Sequence, residues 1–367
     1  MRLVERQETV DLVDILLEVL ERDASDLHLS VGSPPILREN GQLVRMDLPV
    51  LGPNETRELV YSILNQDQRQ RLENDWEIDF SYSVPGRARF RVNAYFQRNS
   101  VGAAFRLIPV KIKKLDELGL PKSLRLLTTK PRGFVIVTGP TGSGKSTTLA
   151  AMIDEINETR YEHIMTIEDP IEFLHRHKKC MGNQREVGTD THAFNKALRS
   201  ALRQDPDVIL VGEMRDTETI GTALTAAETG HLVFATLHTQ DAPKTIDRVI
   251  DVFPPHQQEQ VRVQLSTTLM GVVTQQLMPT RDGKGRAAAA EVLVPTPAVR
   301  NLIREAKTHQ IYSVMQTGSQ YGMVTMDASL ADLVRRGVIS REIAERRSST
   351  PEDLKRLLGQ LGGVAAR

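Results

Sequence analysis

The chain has 367 residues with 47 basic and 47 acidic side chains, so its formal net charge is +0. Apolar residues make up 40% and charged residues 26%, as in ordinary globular proteins, whereas neutrality and 4% aromatic content disfavour a nucleic-acid groove. No apolar run is long enough to span a bilayer, and the N-terminus lacks a signal-peptide pattern. The one cysteine, Cys180, allows neither a disulfide nor a four-cysteine zinc site within one chain. A cytoplasmic location is therefore expected.

The first third of the chain, residues 1–110, is predicted to be a small α+β domain. An amphipathic helix is expected over 9–22, because Leu12, Val13, Leu16, Leu17 and Leu20 form one apolar stripe. Short strands follow near 26–29 and 42–44, and a second helix is predicted over 53–73.

Alternating apolar and polar residues then predict antiparallel strands at 78–82, 87–94 and 102–108. In the second of these, Arg87, Arg89 and Arg91 share one face of the sheet and apolar side chains share the other. For any one arginine, a solvated polar face is the simpler interpretation.

Residues 111–122 form a polar connector, and a second domain is predicted over 123–367. Its strands alternate with helices, which is typical of a parallel sheet. The predicted strands are 134–138, 163–167, 208–212, 231–237, 271–278 and 287–294. The last two are expected to form a hairpin, and the tail from about 297 is expected to be helical.

One nine-residue stretch matches the phosphate-loop pattern G-x-x-x-x-G-K-[S/T]: Gly139, Pro140, Thr141, Gly142, Ser143, Gly144, Lys145, Ser146 and Thr147. A buried strand precedes it and a helix follows, which is the setting that the pattern requires. Backbone N–H groups and the helix start would bind phosphate, Lys145 would reach the β- and γ-phosphates, and Ser146 would ligate Mg²⁺. The sequence thus predicts a nucleoside triphosphate site.

Acidic residues follow two further predicted strands. Glu213 ends an apolar strand in the Walker B arrangement and could hold Mg²⁺. Glu168, Asp169 and Glu172 follow the strand at 163–167, and from spacing alone any of the three could polarise a water for attack on phosphate.

Two histidines, His231 and His238, bracket the strand at 231–237. They could sense the γ-phosphate or a neighbouring subunit, although a structural role is the commoner one for a single histidine. No third ligand that would argue for a metal is evident.

Taken together, the four motifs resemble the Walker A, Asp box, Walker B and His box of the secretion ATPases. The segments 25–29, 183–188, 298–305 and 322–327 narrow the resemblance to the type IV pilus retraction ATPases of PilT type. This resemblance covers nearly the whole chain. It implies an α/β fold, with an N-terminal PAS-like α+β domain, a RecA-like P-loop domain and a helical C-terminal tail.

The resemblance also implies an assembly and residue roles. Six subunits would form a ring, ATP and Mg²⁺ would be the ligands, Glu172 the general base and Glu213 the acid that handles Mg²⁺. Arg91 and Arg106, with Arg89 as a further candidate, would contact the γ-phosphate. Arg300, Arg304 and Glu305 would lie on the polar side of a helix that the family needs for retraction.

The expected function is therefore a Mg²⁺-dependent motor for pilus retraction, acting on a platform protein at the inner membrane and itself only peripheral to the membrane. An accessory retraction paralogue, with a second retraction ATPase as its partner, is the alternative within the family. A nucleic-acid motor and a nucleotide-gated scaffold without turnover are the alternatives outside it.

Overall fold

The computed structural model describes residues 11–39, 41–109 and 111–359. Contacts divide the chain into two compact units, Met1–Val110 and Lys111–Arg367. Among the described helices, none is both long enough and apolar enough to cross a lipid bilayer. Residues 111–122, predicted as a connector, begin the second unit, and Leu115 is buried in its core.

The first unit is a six-stranded antiparallel sheet with helices. The helices are α1 (Leu12–Glu21), α2 (Pro53–Ser62) and α3 (Gln66–Asp75). The strands are β1 (Asp26–Leu29), β2 (Ile36–Glu39), β3 (Gln42–Arg45), β4 (Glu77–Val84), β5 (Ala88–Gln97) and β6 (Ser100–Ile108), in the spatial order β3-β2-β1-β6-β5-β4.

Helix α1 begins where Asp11 accepts a hydrogen bond from the Val13 N–H at 2.8 Å. Its buried face consists of Leu12, Ile15, Leu16 and Val19. The predicted stripe was thus partly wrong, because Val13, Leu17 and Leu20 lie at its margin and are only partly buried. Residues 9 and 10 of that prediction lie outside the described residues.

The single helix predicted over 53–73 is wrong, because the chain forms two helices there. Asn65 separates them by capping α3: its side chain accepts from the Gln68 N–H at 2.8 Å. The Gln68 side chain in turn accepts from the Asn65 N–H at 3.0 Å. This reciprocal capping box favours a new helix start over continuation of α2.

The second unit contains a seven-stranded sheet in the order β13-β12-β7-β11-β10-β8-β9. Its strands are β7 (Gly133–Thr138), β8 (His163–Glu168), β9 (Met181–Glu186), β10 (Val208–Val211), β11 (Leu232–Thr236), β12 (Leu269–Pro279) and β13 (Arg286–Leu293). Its helices are α4 (Ser123–Thr128), α5 (Lys145–Thr159), α6 (Phe194–Ala201), α7 (Thr217–Glu228), α8 (Ala242–Asp251), α9 (Pro255–Thr268), α10 (Pro297–Arg304), α11 (Ile311–Thr317), α12 (Met326–Arg335), α13 (Arg341–Arg347) and α14 (Pro351–Gly359).

All neighbouring strands of this sheet are parallel except the predicted hairpin β12–β13. Both faces are covered: Phe134 and Ile136 of β7 pack into one apolar cluster, while Val135 and Val137 pack into another. The carboxyl ends of six parallel strands therefore meet at one edge, where α/β proteins bind ligands.

The end of α9 is held by Arg300 of α10, which was predicted on the polar side of its helix. Its guanidinium is half-buried and donates to the carbonyls of Ser266, Thr267 and Leu269, the last two at 2.9 Å. Arg300 thus supplies donors for carbonyls that lack a helical partner. Arg304 and Glu305 are exposed, as predicted.

Candidate active site

The predicted phosphate loop connects β7 to α5 and is shaped by glycines in the left-handed region. Gly139 has φ 138° and Gly144, which precedes the first residue of α5, has φ 91°. A Cβ on Gly139 would lie 2.3 Å from the main-chain oxygen of Gln275, which is too close for any side chain. The loop can therefore curl beside β12 with its N–H groups at the start of α5, an arrangement that binds anions.

Lys145 lies at the centre of this loop. Its ammonium donates to the Gly139 carbonyl at 2.7 Å and lies 3.5 Å from Nδ1 of His238. Burial lowers the pKa of Lys145, and the nearby charges of Glu213 and Glu172 offset part of that effect. The cation is thus held among acceptors that phosphate oxygens can replace.

Glu213 follows β10 after one glycine and contacts two side chains, one of them a guanidinium. Its carboxylate is 2.6 Å from the Arg215 guanidinium and 3.1 Å from Nε2 of His238. The hydrogen bond from Arg215 is the main reason why the pKa of Glu213 is lowered. The predicted Walker B residue is therefore an anion beside the phosphate loop.

The three acids at the end of β8 differ in their surroundings: Glu168 is its last residue, and Asp169 and Glu172 follow it. Glu168 accepts hydrogen bonds from the Thr166 hydroxyl at 2.7 Å and the Gln184 amide at 3.2 Å, and burial raises its pKa. Asp169 and Glu172 are exposed at the site. Glu168 is thus hydrogen-bonded to neighbouring side chains of its own unit, whereas Glu172 is accessible to a substrate.

A cavity of about 360 Å³ joins these groups within the second unit. The predicted residues on its wall are Thr141 to Thr147, Glu168, Asp169, Glu172, Glu213 and His238. Gly139 and Pro140 lie at the base of the loop, and their carbonyls bind Lys145.

Sequence reasoning missed Arg286 and His175, which also line the cavity. Arg286 is the first residue of β13 and pairs in register with Pro279. The predicted hairpin could have located it, since its register returns that residue towards the phosphate loop. His175 gives no comparable signal, and burial lowers its pKa to about 4, so that the imidazole is neutral near pH 7.

His231 lies away from this cavity, at the opposite end of β11. Its Nδ1 is 2.9 Å from the Ala226 carbonyl, and its own carbonyl accepts from the Gly133 N–H, where β7 begins. The prediction that His231 binds the nucleotide is therefore not supported for the nucleotide of its own chain, because β11 runs the full depth of the sheet between the two histidines.

Arg91 and Arg106, the predicted γ-phosphate contacts, are neighbours on the sheet of the first unit. Arg91 on β5 pairs in register with Arg106 on β6, which pairs with Asp26 on β1. Nε of Arg106 lies 2.9 Å from Oδ1 of Asp26, yet its side chain is 73% exposed. The alternation predicted for β5 is confirmed, since Ala88, Phe90 and Val92 are buried.

The Ser146 hydroxyl and the Glu213 carboxylate line the same cavity, which fits the oxygen ligands that Mg²⁺ prefers. Over residues 11–39, 41–109 and 111–359, no cluster of three or more His, Cys, Asp or Glu side chains could hold a metal ion. Magnesium commonly binds through one or two protein ligands and substrate phosphates, so two oxygen donors suffice.

Comparison with known proteins agrees with this geometry. The family model described as Type II/IV secretion system protein matches residues 7–345. The Type IV pilus retractation ATPase PilT of Pseudomonas aeruginosa is 55% identical over 344 residues, covering 94% of this chain and 100% of that protein. The Type IV pilus ATPase PilU of the same organism is 44% identical over 348 residues, covering 95% of this chain and 91% of that protein.

The crystal structure of the pilus retraction motor PilT with bound ADP superposes with a TM-score of 0.87 at 50% identity. The match covers 95% of this chain and 99% of that chain. It confirms the predicted fold class: an α/β protein with an N-terminal α+β domain of PAS type, a RecA-like core and a helical C-terminal region. This chain therefore belongs to the Type II/IV secretion system protein family.

Proposed function

We propose that this protein is a hexameric, Mg²⁺-dependent ATPase motor that powers type IV pilus retraction. One observation carries the proposal: the phosphate loop, the acids Glu172 and Glu213, and His238 line one cavity. The chain that builds this cavity is 55% identical to a pilus retraction ATPase along 94% of its length.

The phosphate loop would bind the triphosphate through its N–H groups and the start of α5. The Lys145 ammonium, which donates to the carbonyls of Gly139 and Pro140, would transfer those hydrogen bonds to the β- and γ-phosphates. Its charge stabilises the negative charge that develops on the transferred phosphoryl group.

Glu172 is the general base in this proposal. It lines the cavity and is exposed, whereas Glu168 is engaged by Thr166 and Gln184 and its pKa is raised. A base that abstracts a proton from water must be within reach of that water, and the exposed Glu172 meets this requirement better than Glu168, which is engaged by its neighbours.

Ser146 and Glu213 would hold Mg²⁺, with Glu213 acting directly or through water. These two side chains would thereby keep beside the phosphates a cation that neutralises part of their negative charge. His238 contacts both Lys145 and Glu213, so it would orient the cation and the anion of the site relative to each other.

We also propose that Arg91 and Arg106 contact the γ-phosphate of a bound nucleotide. Both side chains are exposed on one sheet face, and they are direct neighbours in the register. An arginine delivered to a transferring phosphoryl group accelerates hydrolysis by about 10³ or more. His231, which lies away from the cavity of its own chain, would then contact a neighbouring subunit.

The proposed assembly is a ring of six copies at the cytoplasmic face of the inner membrane, where it is peripheral. It would act on the platform protein of the pilus, without nucleic acid. A second retraction ATPase is a further proposed partner, and the similarity to PilU supports testing whether this chain retracts pili alone.

The test compares ATP hydrolysis by the purified wild type and by Glu172→Gln, with sizing of both by light scattering. We expect two hexamers that bind ATP with similar affinity, and turnover at least about 100-fold lower in the variant. Glu259→Gln, a charge-matched change at an exposed position of α9, should retain full turnover.

Equal turnover in the wild type and Glu172→Gln would remove Glu172 from its assigned role. A folded wild-type hexamer without turnover would contradict the proposed motor. Pilus retraction restored by this gene in a strain lacking all retraction ATPases would support independent action, and restoration only beside a second ATPase would favour the accessory role.

A further inference from the structure

Glu291 is an acid on β13 between the apolar residues Ala290 and Val292, and it is only 2% exposed. The mechanism above does not use it. Its two carboxylate oxygens accept hydrogen bonds from two main-chain groups that are far apart in the chain: the Ala242 N–H at 2.8 Å and the Met326 N–H at 3.4 Å.

Both donors are the first residues of helices, α8 and α12. The capping side chains of these helices leave those N–H groups unpaired, because Asp241 accepts from Lys244 and Thr325 accepts from Ala328. The Glu291 carboxylate thus accepts from the first N–H group of both helices, and the positive end of each helix dipole favours its negative charge.

The first of these helices begins directly after a short segment, residues 238–241, which we call the histidine loop. Its first residue, His238, contacts Lys145 and Glu213 in the cavity. The Thr239 hydroxyl lies 2.8 Å from the hydroxyl of Thr138, the last residue before the phosphate loop. The bond from Ala242 to Glu291 therefore anchors the far end of the histidine loop.

The second helix, α12, belongs to the C-terminal helical region. Just before it, Val324 forms a pair of main-chain hydrogen bonds with Val292, the neighbour of Glu291, at 2.8 and 3.0 Å. Within α12, Asp327 is fully buried and binds Ser348 and Thr350, which lie at the end of α13 and the start of α14. A displacement of these helices would thus reach Glu291 through α12.

We propose that Glu291 is a positioning residue that joins the histidine loop to the C-terminal helices, so that the placement of α12 controls the orientation of His238. The proposal rests on the ATPase function proposed above, because one of its readouts is ATP turnover. It assigns the C-terminal region a second role besides any contact with a partner, which is to position the histidine loop.

The charge state of Glu291 should matter for this connection. Burial raises its pKa to about 7, the Asp241 and Asp327 carboxylates add to that effect, and the two N–H donors oppose it. Lys244, paired with Asp241 at 2.8 Å, is the nearby cation. A protonated carboxyl keeps one good acceptor oxygen, so protonation weakens one of the two bonds.

The experiment compares the full-length wild type with Glu291→Gln and with Asp327→Asn. Glu291→Gln keeps the shape but offers one acceptor for two donors, whereas Asp327→Asn loosens the C-terminal helices without touching the histidine loop. At pH 8 we expect kcat of Glu291→Gln to fall about tenfold with KM for ATP within about twofold, because the phosphate loop is intact and only His238 is misplaced.

Two further readouts distinguish the proposed positioning role of Glu291 from a purely structural role. The difference in kcat between the wild type and Glu291→Gln should shrink to about twofold at pH 6, where Glu291 of the wild type is protonated. Hydrogen exchange at the amides of Ala242 and Met326 should be at least about tenfold faster in Glu291→Gln than in the wild type at pH 8. If Glu291→Gln does not fold, Glu291→Asp, which keeps the charge but is one methylene shorter, serves in its place.

Unchanged kcat in both Asp327→Asn and Glu291→Gln would overturn the proposal, as would a pH-independent difference or unchanged exchange at Ala242. A wild type that fails to hydrolyse ATP would contradict the proposed function instead, and the exchange measurement would still decide whether Glu291 holds the two helices together.

Discussion

His231 and His238 flank the same strand, β11, yet the structure uses them in different ways. His231 contacts a main-chain carbonyl of the preceding helix, whereas His238 contacts the charged side chains of Glu213 and Lys145. The same contrast separates the two ends of the whole parallel sheet. At the amino end, His163 contacts the Asp205 carbonyl in the loop before β10, Asp207 binds the main-chain N–H of His163 on β8, and both are fixed by the fold.

At the carboxyl end, the polar side chains mostly bind one another. Glu213 pairs with the Arg215 guanidinium and contacts His238, which in turn contacts Lys145 beside the phosphate loop. Such partners can be exchanged for phosphate oxygens without breaking secondary structure. We therefore expect changes at the carboxyl end to affect turnover, and changes at the amino end to affect stability.

The largest effect is expected for Lys145→Gln. It removes the cation that we propose contacts the phosphates, so turnover of ATP should fall by about 10³-fold or more. The free energy of unfolding should stay within about 0.5 kcal/mol of the wild type, since the ammonium is only partly buried. Steady-state ATP hydrolysis and denaturant unfolding measure the two quantities. A variant that unfolds much more easily would contradict the distinction between the two ends.

A smaller loss is expected for His238→Asn, which shortens the side chain between Lys145 and Glu213. We expect kcat to fall about 10- to 100-fold, because both charged groups lose a shared orienting contact. Nucleotide binding by the phosphate loop should persist, which titration of a fluorescent ADP analogue can measure. Unchanged kcat would show that Lys145 and Glu213 keep their productive positions without the histidine.

At the amino end, Asp207→Ala should act on stability. Oδ2 of Asp207 accepts from the partly buried N–H of His163 at 2.9 Å, and removing it leaves that donor without its acceptor in the protein. The expected cost is about 1–3 kcal/mol of unfolding free energy, with kcat within about twofold. Asp207→Asn, which can still accept this bond, is the control and should recover most of the stability.

The smallest effect is expected for His231→Ala. Loss of the contact with the Ala226 carbonyl should lower the unfolding free energy by about 1 kcal/mol. Affinity of the chain for ATP should remain within about twofold, as measured by equilibrium binding. A large loss of affinity would place His231 in the nucleotide site after all and would break the comparison.

The amino-acid sequence predicted most of the second unit because its signals are local. A phosphate loop between a buried strand and a helix places its own neighbours, and the acids at 168–172 and 213 follow strands whose parallel order brings their ends together. For the same reason the structure places Glu172, Glu213 and His238 on one cavity wall.

The features that were missed depend on contacts that periodicity does not show. The break at Asn65 comes from a side chain that competes with the helix for a main-chain donor. Strand β9 is polar, Met-Gly-Asn-Gln-Arg-Glu, and exists because the edge of β8 offers it a partner. Arg286 reaches the cavity only through the register of the hairpin.

In the first unit, one line of side chains crosses the sheet. Arg38, Asp26, Arg106 and Arg91 follow one another in register on four adjacent strands. Asp26 lies 2.9 Å from Arg106 and 3.9 Å from Arg38, and the Ser25 hydroxyl donates to it at 2.8 Å. Burial alone would raise the pKa of Asp26, but the hydrogen bonds from Ser25 and Arg106 outweigh it and keep the carboxyl ionised.

If Arg106 turns towards another anion, Asp26 therefore keeps a cation and a hydroxyl as neighbours. The Asp26 carboxylate binds the exposed guanidinium of Arg106 without enclosing it. Its negative charge also limits the repulsion between Arg106 and Arg91. This sheet can thus present two adjacent positive charges to solvent and release one of them at little cost to its own fold.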